Sequence, residues 1–189
     1  MKKLVYRNIL ALALAAVMLF TCMGSALGES DAPVELLVSA AASLTDVMPK
    51  IAEAYALVAP NVTITYTYGS SGALRTQIEE GAPVDVFLSA NLKHMNALVD
   101  EGLVLEGTNM PLLENKVVLI VPEDTKLTLA AFEDVATDAV YLVGIGEPTS
   151  VPAGQYAQQV FESLGIWDAV SAKANFATDV RQVLMWVEE

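Results

Sequence analysis

The sequence predicts an α/β protein built on parallel sheet, covered on both faces by helices. Three observations carry that expectation. Short apolar runs alternate with segments whose apolar residues recur every three or four positions. One strand-like run, Val117 to Val121, is almost wholly apolar, as a buried parallel strand is. Strand and helix alternate along the chain, which is the order that crossover connections produce.

The first segment is an export leader rather than part of the fold. Lys2, Lys3 and Arg7 precede an apolar run from Ile9 to Phe20, and Ala26-Leu27-Gly28 offers a small-x-small cleavage site. Residues 1–28 are therefore read as a signal peptide. An uncleaved anchor is the alternative, because the apolar run approaches spanning length. A lipid anchor on Cys22 is less favoured, since Leu19-Phe20-Thr21 lacks the small residues expected beside an acylated cysteine.

The elements then follow in order. Glu35 to Ser39 reads as a buried strand. Leu44, Val47, Met48, Ile51, Tyr55 and Val58 mark an amphipathic helix ended by Ala59-Pro60-Asn61. Val62 to Tyr68, rich in Thr, Tyr and β-branched residues, favours a strand. Gly72 to Glu80 is a helix closed by Gly81 and Pro83, Val84 to Ser89 a strand, and Leu92 to Asp100 a helix ending at Gly102. Val117 to Val121 reads as an apolar strand stopped by Pro122. Leu129 to Val135 reads as a helix and Val140 to Gly144 as a short strand. Gln155 to Leu164 is a helix with Gly165 as its left-handed cap. Asn175 and Phe176 suggest a brief strand. Val180, Val183, Leu184 and Val187 mark a last helix.

Removing the 28-residue leader leaves 161 of 189 residues, enough for one domain or two small lobes. The remainder has no cysteine, which excludes a disulfide framework and thiolate metal sites. Losing three basic leader residues takes the net charge from −13 to −16. Such a surface repels nucleic acid and anionic headgroups, so neither is expected as a partner. It also repels a small anion at long range, so an anion site here must work through short-range donors.

Four strand-to-helix junctions supply such donors. They are Ala40-Ala41-Ala42-Ser43-Leu44-Thr45-Asp46, Tyr68-Gly69-Ser70-Ser71-Gly72, Val151-Pro152-Ala153-Gly154 and Ala177-Thr178-Asp179-Val180. Ser43 and Asp46 have capping-box spacing, and Pro152 suits a first helical turn. A helix start leaves backbone N–H groups unpaired and partly positive, and several aimed at one point hold an oxyanion. Each junction alone is better explained by ordinary capping, and the anion reading gains weight only from all four together.

The residues at these junctions also carry a resemblance. Ala40-Ala41-Ala42-Ser43-Leu44, Ser70-Ser71-Gly72-Ala73-Leu74 and Gln77 to Phe87 are similar to the molybdate-binding proteins of bacterial ABC transporters. So are Gly146 to Ala157 and Thr178-Asp179-Val180-Arg181-Gln182-Val183-Leu184. The resemblance runs from about Leu36 to the last residue. It implies a type II periplasmic-binding-protein fold, with lobe 1 at residues 34–112, lobe 2 at residues 113–189, and the ligand in the cleft between them. It implies an exported, non-enzymatic monomer in the periplasm or on the outer face of the cytoplasmic membrane, serving a membrane permease. Molybdate or tungstate would be held by Ser43 and Ser71 through hydroxyl and backbone N–H, and by Ala153 and Val180 through backbone N–H. Molybdenum would be bound only as its oxyanion, with no direct side-chain coordination and no cofactor. The family's remaining ligand is a tyrosine on a strand beyond the final helix, where this sequence stops. With Glu188 and Glu189 at an uncapped helix end, the expectation is a chain whose second lobe and return segment are incomplete. The alternatives are a non-functional truncated fragment, or a binder of another tetrahedral oxyanion such as sulfate.

Other residues suggest plainer roles. His94, the lone histidine, reads as a surface or half-buried residue, although a hydrolase using Ser71 would need it as base. Asp85 reads as a strand-end hydrogen bonder, Arg75 as a solvent-side or loop-bracing residue, and Asp179 as a cap. Arg181 is expected in solvent or in contact with a partner. Met48, Met95, Met110, Met185, Trp167 and Trp186 read as packing residues.

Overall fold

A computed structural model describes residues 32–189; the expected leader, with Cys22, lies outside the described residues. Residues 35–189 cluster as one compact unit. Strand β1 (Val34–Ala41) runs into a 3-10 turn (Ala42–Leu44), followed by helix α1 (Met48–Ala56), β2 (Val62–Gly69), α2 (Ser71–Glu79), β3 (Val86–Leu88) and α3 (Leu92–Asp100). Later come a 3-10 turn (Phe132–Ala136), β4 (Val143–Gly146), α4 (Pro152–Ser163), α5 (Trp167–Ser171), β5 (Ala174–Ala177) and α6 (Val180–Glu188).

The strands form a three-stranded sheet in the order β2-β1-β3 and a two-stranded sheet of β4 and β5. β1 and β3 pair in parallel with Ser39 opposite Phe87, and β4 and β5 pair in parallel with Ile145 opposite Phe176. Asp85 extends the first ladder. Its backbone N–H donates to the Leu37 carbonyl at 2.9 Å, and its carboxylate accepts from the Leu37 N–H at 2.8 Å. That is the strand-end role expected of it. Each sheet has its own core. Val38, Ala40 and Met48 are buried beneath Leu44, Ile64, Tyr66 and Tyr68 in the first. Val135, Val140, Ile145, Phe161 and Val170 are buried in the second, with Phe132 and Phe161 edge to face at 6.1 Å.

Several expectations need correction. The helix expected through Leu44 to Val58 is broken, because Pro49 has no N–H to donate back to the preceding turn. A 3-10 turn ends at Leu44, and α1 starts afresh with the proline in its first turn. Val47, Ile51, Tyr55 and Val58 are consequently exposed, and only Met48 on that face is buried. Val117 to Val121 forms no strand. Strands need hydrogen-bonded neighbours, and among the described residues β4 pairs only with β5, so this apolar run stays irregular and largely exposed. The helix expected over Leu129 to Val135 shrinks to a 3-10 turn. The Asp134 carboxylate accepts from the N–H groups of Ala130 and Ala131 at 2.7 and 3.0 Å, closing a local turn in place of a longer helix. Those two bonds hold the Asp134 carboxyl below the usual range.

The strand expected at Val140 to Gly144 lies at Val143–Gly146, and α5 was not foreseen. Trp167 on α5 packs against Phe176 at 6.4 Å. Gly165 is left-handed, with φ +69°, as its capping role requires. Met110 and Met185 are exposed instead of filling cores. Trp186 covers Gly144 while remaining 39% exposed.

Candidate functional site

The four junctions line one cavity of about 820 Å³. Ser43, Ser71, Ala153 and Val180 all stand in its wall, together with Gly69, Ser70, Ala90, Pro152 and Tyr156. The wall continues into an apolar region formed by Val117 to Val121, Leu142, Val183, Leu184 and Val187.

The local bonding decides which donors remain for a guest. At the start of α2, the Ser70 hydroxyl accepts from the Ala73 N–H at 3.3 Å, an ordinary cap. The Gly72 N–H donates to the Ser150 carbonyl at 3.0 Å, and the Leu74 N–H to the Ser70 carbonyl at 3.0 Å. The Ser71 N–H is left without a partner among the described residues. Ser71 is wholly buried, and its Oγ accepts from the Ala90 N–H at 2.9 Å. That bond orients the hydroxyl and leaves its proton free to donate.

The other junctions differ in construction. At the start of α6, the Asp179 carboxylate accepts from the Gln182 N–H at 3.0 Å, and Gln182 Oε1 accepts from the Thr178 N–H at 2.8 Å. Asp179 is thus a cap, as expected, and the N–H groups of Val180 and Arg181 stay unpaired among the described residues. At α4, Val151 supplies no side-chain cap and Pro152 has no N–H, so Ala153 carries the first free donor. Ala153 is held there by a crossing of two glycines. A Cβ on Gly154 would sit 1.8 Å from the Gly146 carbonyl oxygen, so the helix start lies directly on the end of β4. Ser43 sits in the 3-10 turn, exposed at the cavity wall, with its N–H unpaired among the described residues. The capping box expected between Ser43 and Asp46 does not form, because Asp46 turns to Arg181 instead.

That turn makes a two-point ion pair. Arg181 Nη1 bonds Asp46 Oδ2, and Arg181 Nη2 lies 3.0 Å from Asp46 Oδ1. The guanidinium holds the Asp46 carboxyl below the usual range, and the carboxylate pushes Arg181 up. Arg181, expected in solvent or against a partner, is instead paired within its own chain. The charged residues in the cavity wall, among those described, are this pair, Lys116 and Glu189.

A family model for bacterial extracellular solute-binding proteins matches residues 36–189. The chain belongs to that family.

Among its relatives, a lipoprotein of Bacillus subtilis assigned as the substrate-binding component of an ABC transporter is 38% identical over 85% of the chain. The molybdate-binding protein of Haemophilus influenzae is 36% identical over 83%. A solved substrate-binding domain assigned to a molybdenum ABC transporter of Clostridium difficile superposes with a TM-score of 0.58 at 45% identity, over 82% of the chain. The chain spans just under two thirds of these relatives, 61%, 63% and 66% of their lengths. The parallel-sheet α/β architecture is the type II periplasmic-binding-protein fold.

The site also has features that the sequence did not announce. Asn91, cap of α3, donates from Nδ2 to Gln155 Oε1 at 2.7 Å, joining α3 to α4. Gly72 must be glycine, since a Cβ there would lie 2.7 Å from the Ser150 oxygen. These contacts cross 64 and 78 positions of chain, and no local pattern signals them. Two residues fall outside the cavity wall. Arg75 forms an ion pair with Glu79 at 3.0 Å along α2, in line with a role away from the ligand. His94 is buried instead of half-exposed, with Nδ1 unpartnered and its pKa lowered by burial and by nearby Arg75 and Lys93. Its place on the inner face of α3 beside Leu98 explains the burial. It does not stand in the wall that Ser71 lines.

Proposed function

We propose that this chain captures molybdate or tungstate outside the cytoplasm and delivers it to the membrane permease of an ABC transporter. One observation carries the reading: four backbone segments with unpaired N–H groups, at Ser43, Ser71, Ala153 and Val180, line a single cavity. Three of them open helices whose first-turn N–H groups carry partial positive charge. The names of the relatives point to the same oxyanion.

The chemistry follows from the donor set. A doubly charged tetrahedral anion is held by neutral N–H and O–H donors, each a charge-assisted hydrogen bond. Arg181 is already bound to Asp46, so no free guanidinium enters the recognition. Fixed backbone donors do not adapt to a smaller ion, and selectivity against sulfate and phosphate rests on how the spacing of those donors matches the size of the ion. Molybdenum enters as its oxyanion, without side-chain ligands or a cofactor. The chain acts by binding and not by turning over a substrate, and cleft closure around the anion signals occupancy to the permease.

Calorimetry on the purified chain tests this. Molybdate and tungstate should bind with similar affinity and sulfate much more weakly. A preference for sulfate would remove the size argument, and no binding of any of the three would remove the site.

A further inference from the structure

We infer that Asp46 and Arg181 form a latch across the mouth of the cavity, holding the ligand-bearing turns together and slowing release of the bound anion. Asp46 stands three residues after Ser43, just past the turn that follows β1. Arg181 stands one residue after Val180, in the first turn of α6 beyond β5. The pair is separated by 135 positions and joins the two sheets, and both residues line the cavity. Its two parallel N–H···O bonds fix distance and angle together. Both side chains remain partly exposed, at 41% and 69%, so the pair sits at the rim, where solvent can enter to break it. The other cross-links, Gly72 N–H to Ser150 and Asn91 to Gln155, lie at the starts of α2, α3 and α4. The latch is the charged contact among these, on the side where Ser43 and Val180 approach.

A second consequence is chemical. The latch occupies the one arginine in the cavity wall among the described residues, so its guanidinium is neutralised by Asp46 instead of facing the anion. The latch and a direct arginine–anion contact therefore make opposite predictions for one variant. In Asp46→Asn the guanidinium is released. If Arg181 served the anion directly, binding would tighten. If it serves as the latch, dissociation speeds up.

The inference rests in part on the cavity being an oxyanion site, so the test has a ligand-free arm. Cysteines replace Lys50 on α1 and Glu162 on α4 in a Cys22→Ser chain, and spin labels report the distance between the sheets. In the ligand-free protein, Asp46→Asn and Arg181→Gln should shift the distance distribution to longer values. The exchanged pair, Asp46→Arg with Arg181→Asp, should restore it. Stopped-flow release of molybdate from Asp46→Asn should be about two- to fivefold faster, in the range of an exposed ion pair, with association little changed. Unchanged distances in both single variants, or tighter molybdate binding in Asp46→Asn, overturn the latch. If the unmodified chain binds no molybdate but the distances shift and recover as described, the latch stands and the oxyanion reading falls.

Discussion

Replacing Gly154 by alanine tests the geometry that presents Ala153. The added Cβ would lie 1.8 Å from the Gly146 carbonyl oxygen and 2.4 Å from its carbon. Both are backbone atoms of β4, and neither can swing aside as a side chain would. Since Cβ atoms keep beyond 3.0 Å of such neighbours, the start of α4 must retreat by roughly 1.2 Å in a close-packed interior. Overpacking of this kind costs about 1–3 kcal/mol, or about 2–4 °C of melting temperature per kcal/mol for a chain of this size. The same retreat carries the Ala153 N–H out of bonding range of a guest. Losing one hydrogen bond to a charged group costs about 1.5–3 kcal/mol, which is roughly a ten- to hundredfold loss of molybdate affinity. Calorimetric titration and thermal melting of Gly154→Ala read the two effects. Gly165→Ala is the control, with positive φ and open space around it. It should lose about 1 kcal/mol of stability and bind as before. A Gly154→Ala protein with an unchanged melt and an affinity within twofold of the original would refute the close-crossing argument.

Two further expectations concern single side chains. Ser71→Ala removes both the acceptor of the Ala90 N–H and a hydroxyl donor, so molybdate affinity should fall at least about tenfold. Ser70→Ala removes only the α2 cap and should cost about 1 kcal/mol of stability with a smaller loss of affinity; equal affinity losses in the two would show that Ser71 has no special role. Between pH 7 and 5, His94 is the described residue whose shifted pKa bears on stability. Its folded pKa lies below the ordinary value of about 6.5, so the unfolded chain takes up the proton first. Stability is therefore complete above about pH 6.5 and declines as pH falls toward the lowered folded value. Melting temperatures between pH 7 and 5 should drop, and His94→Leu should flatten that slope; an identical slope in the variant would exclude His94 as its source.

Local chemistry made much of this protein legible. Period and composition located β1, β2, α2, α3, α4 and α6, because each has an apolar face, buried or partly covered, whose spacing is written along a short stretch of chain. The four strand-to-helix junctions were legible for the same reason, since Ser, Asp, Pro and Gly at a helix start act on their own neighbours. Local chemistry misled where a neighbour overrode it. Pro49 split a helix whose apolar spacing looked continuous, and Asp134 closed a short turn where a longer helix was expected. The apolar run Val117 to Val121 looked like a strand, yet a strand exists only when another pairs with it.

Patterning along the chain determined the α/β class, most of the element order and the backbone donors, for these depend on interactions within a few residues. Tertiary structure alone decided that Ser43, Ser71, Ala153 and Val180 share one cavity wall, that Gly146 and Gly154 cross in contact, and that Arg181 meets Asp46. Such partners are distant in sequence and are joined only by packing the two sheets together, a global balance of buried surface and hydrogen bonding that no local window contains.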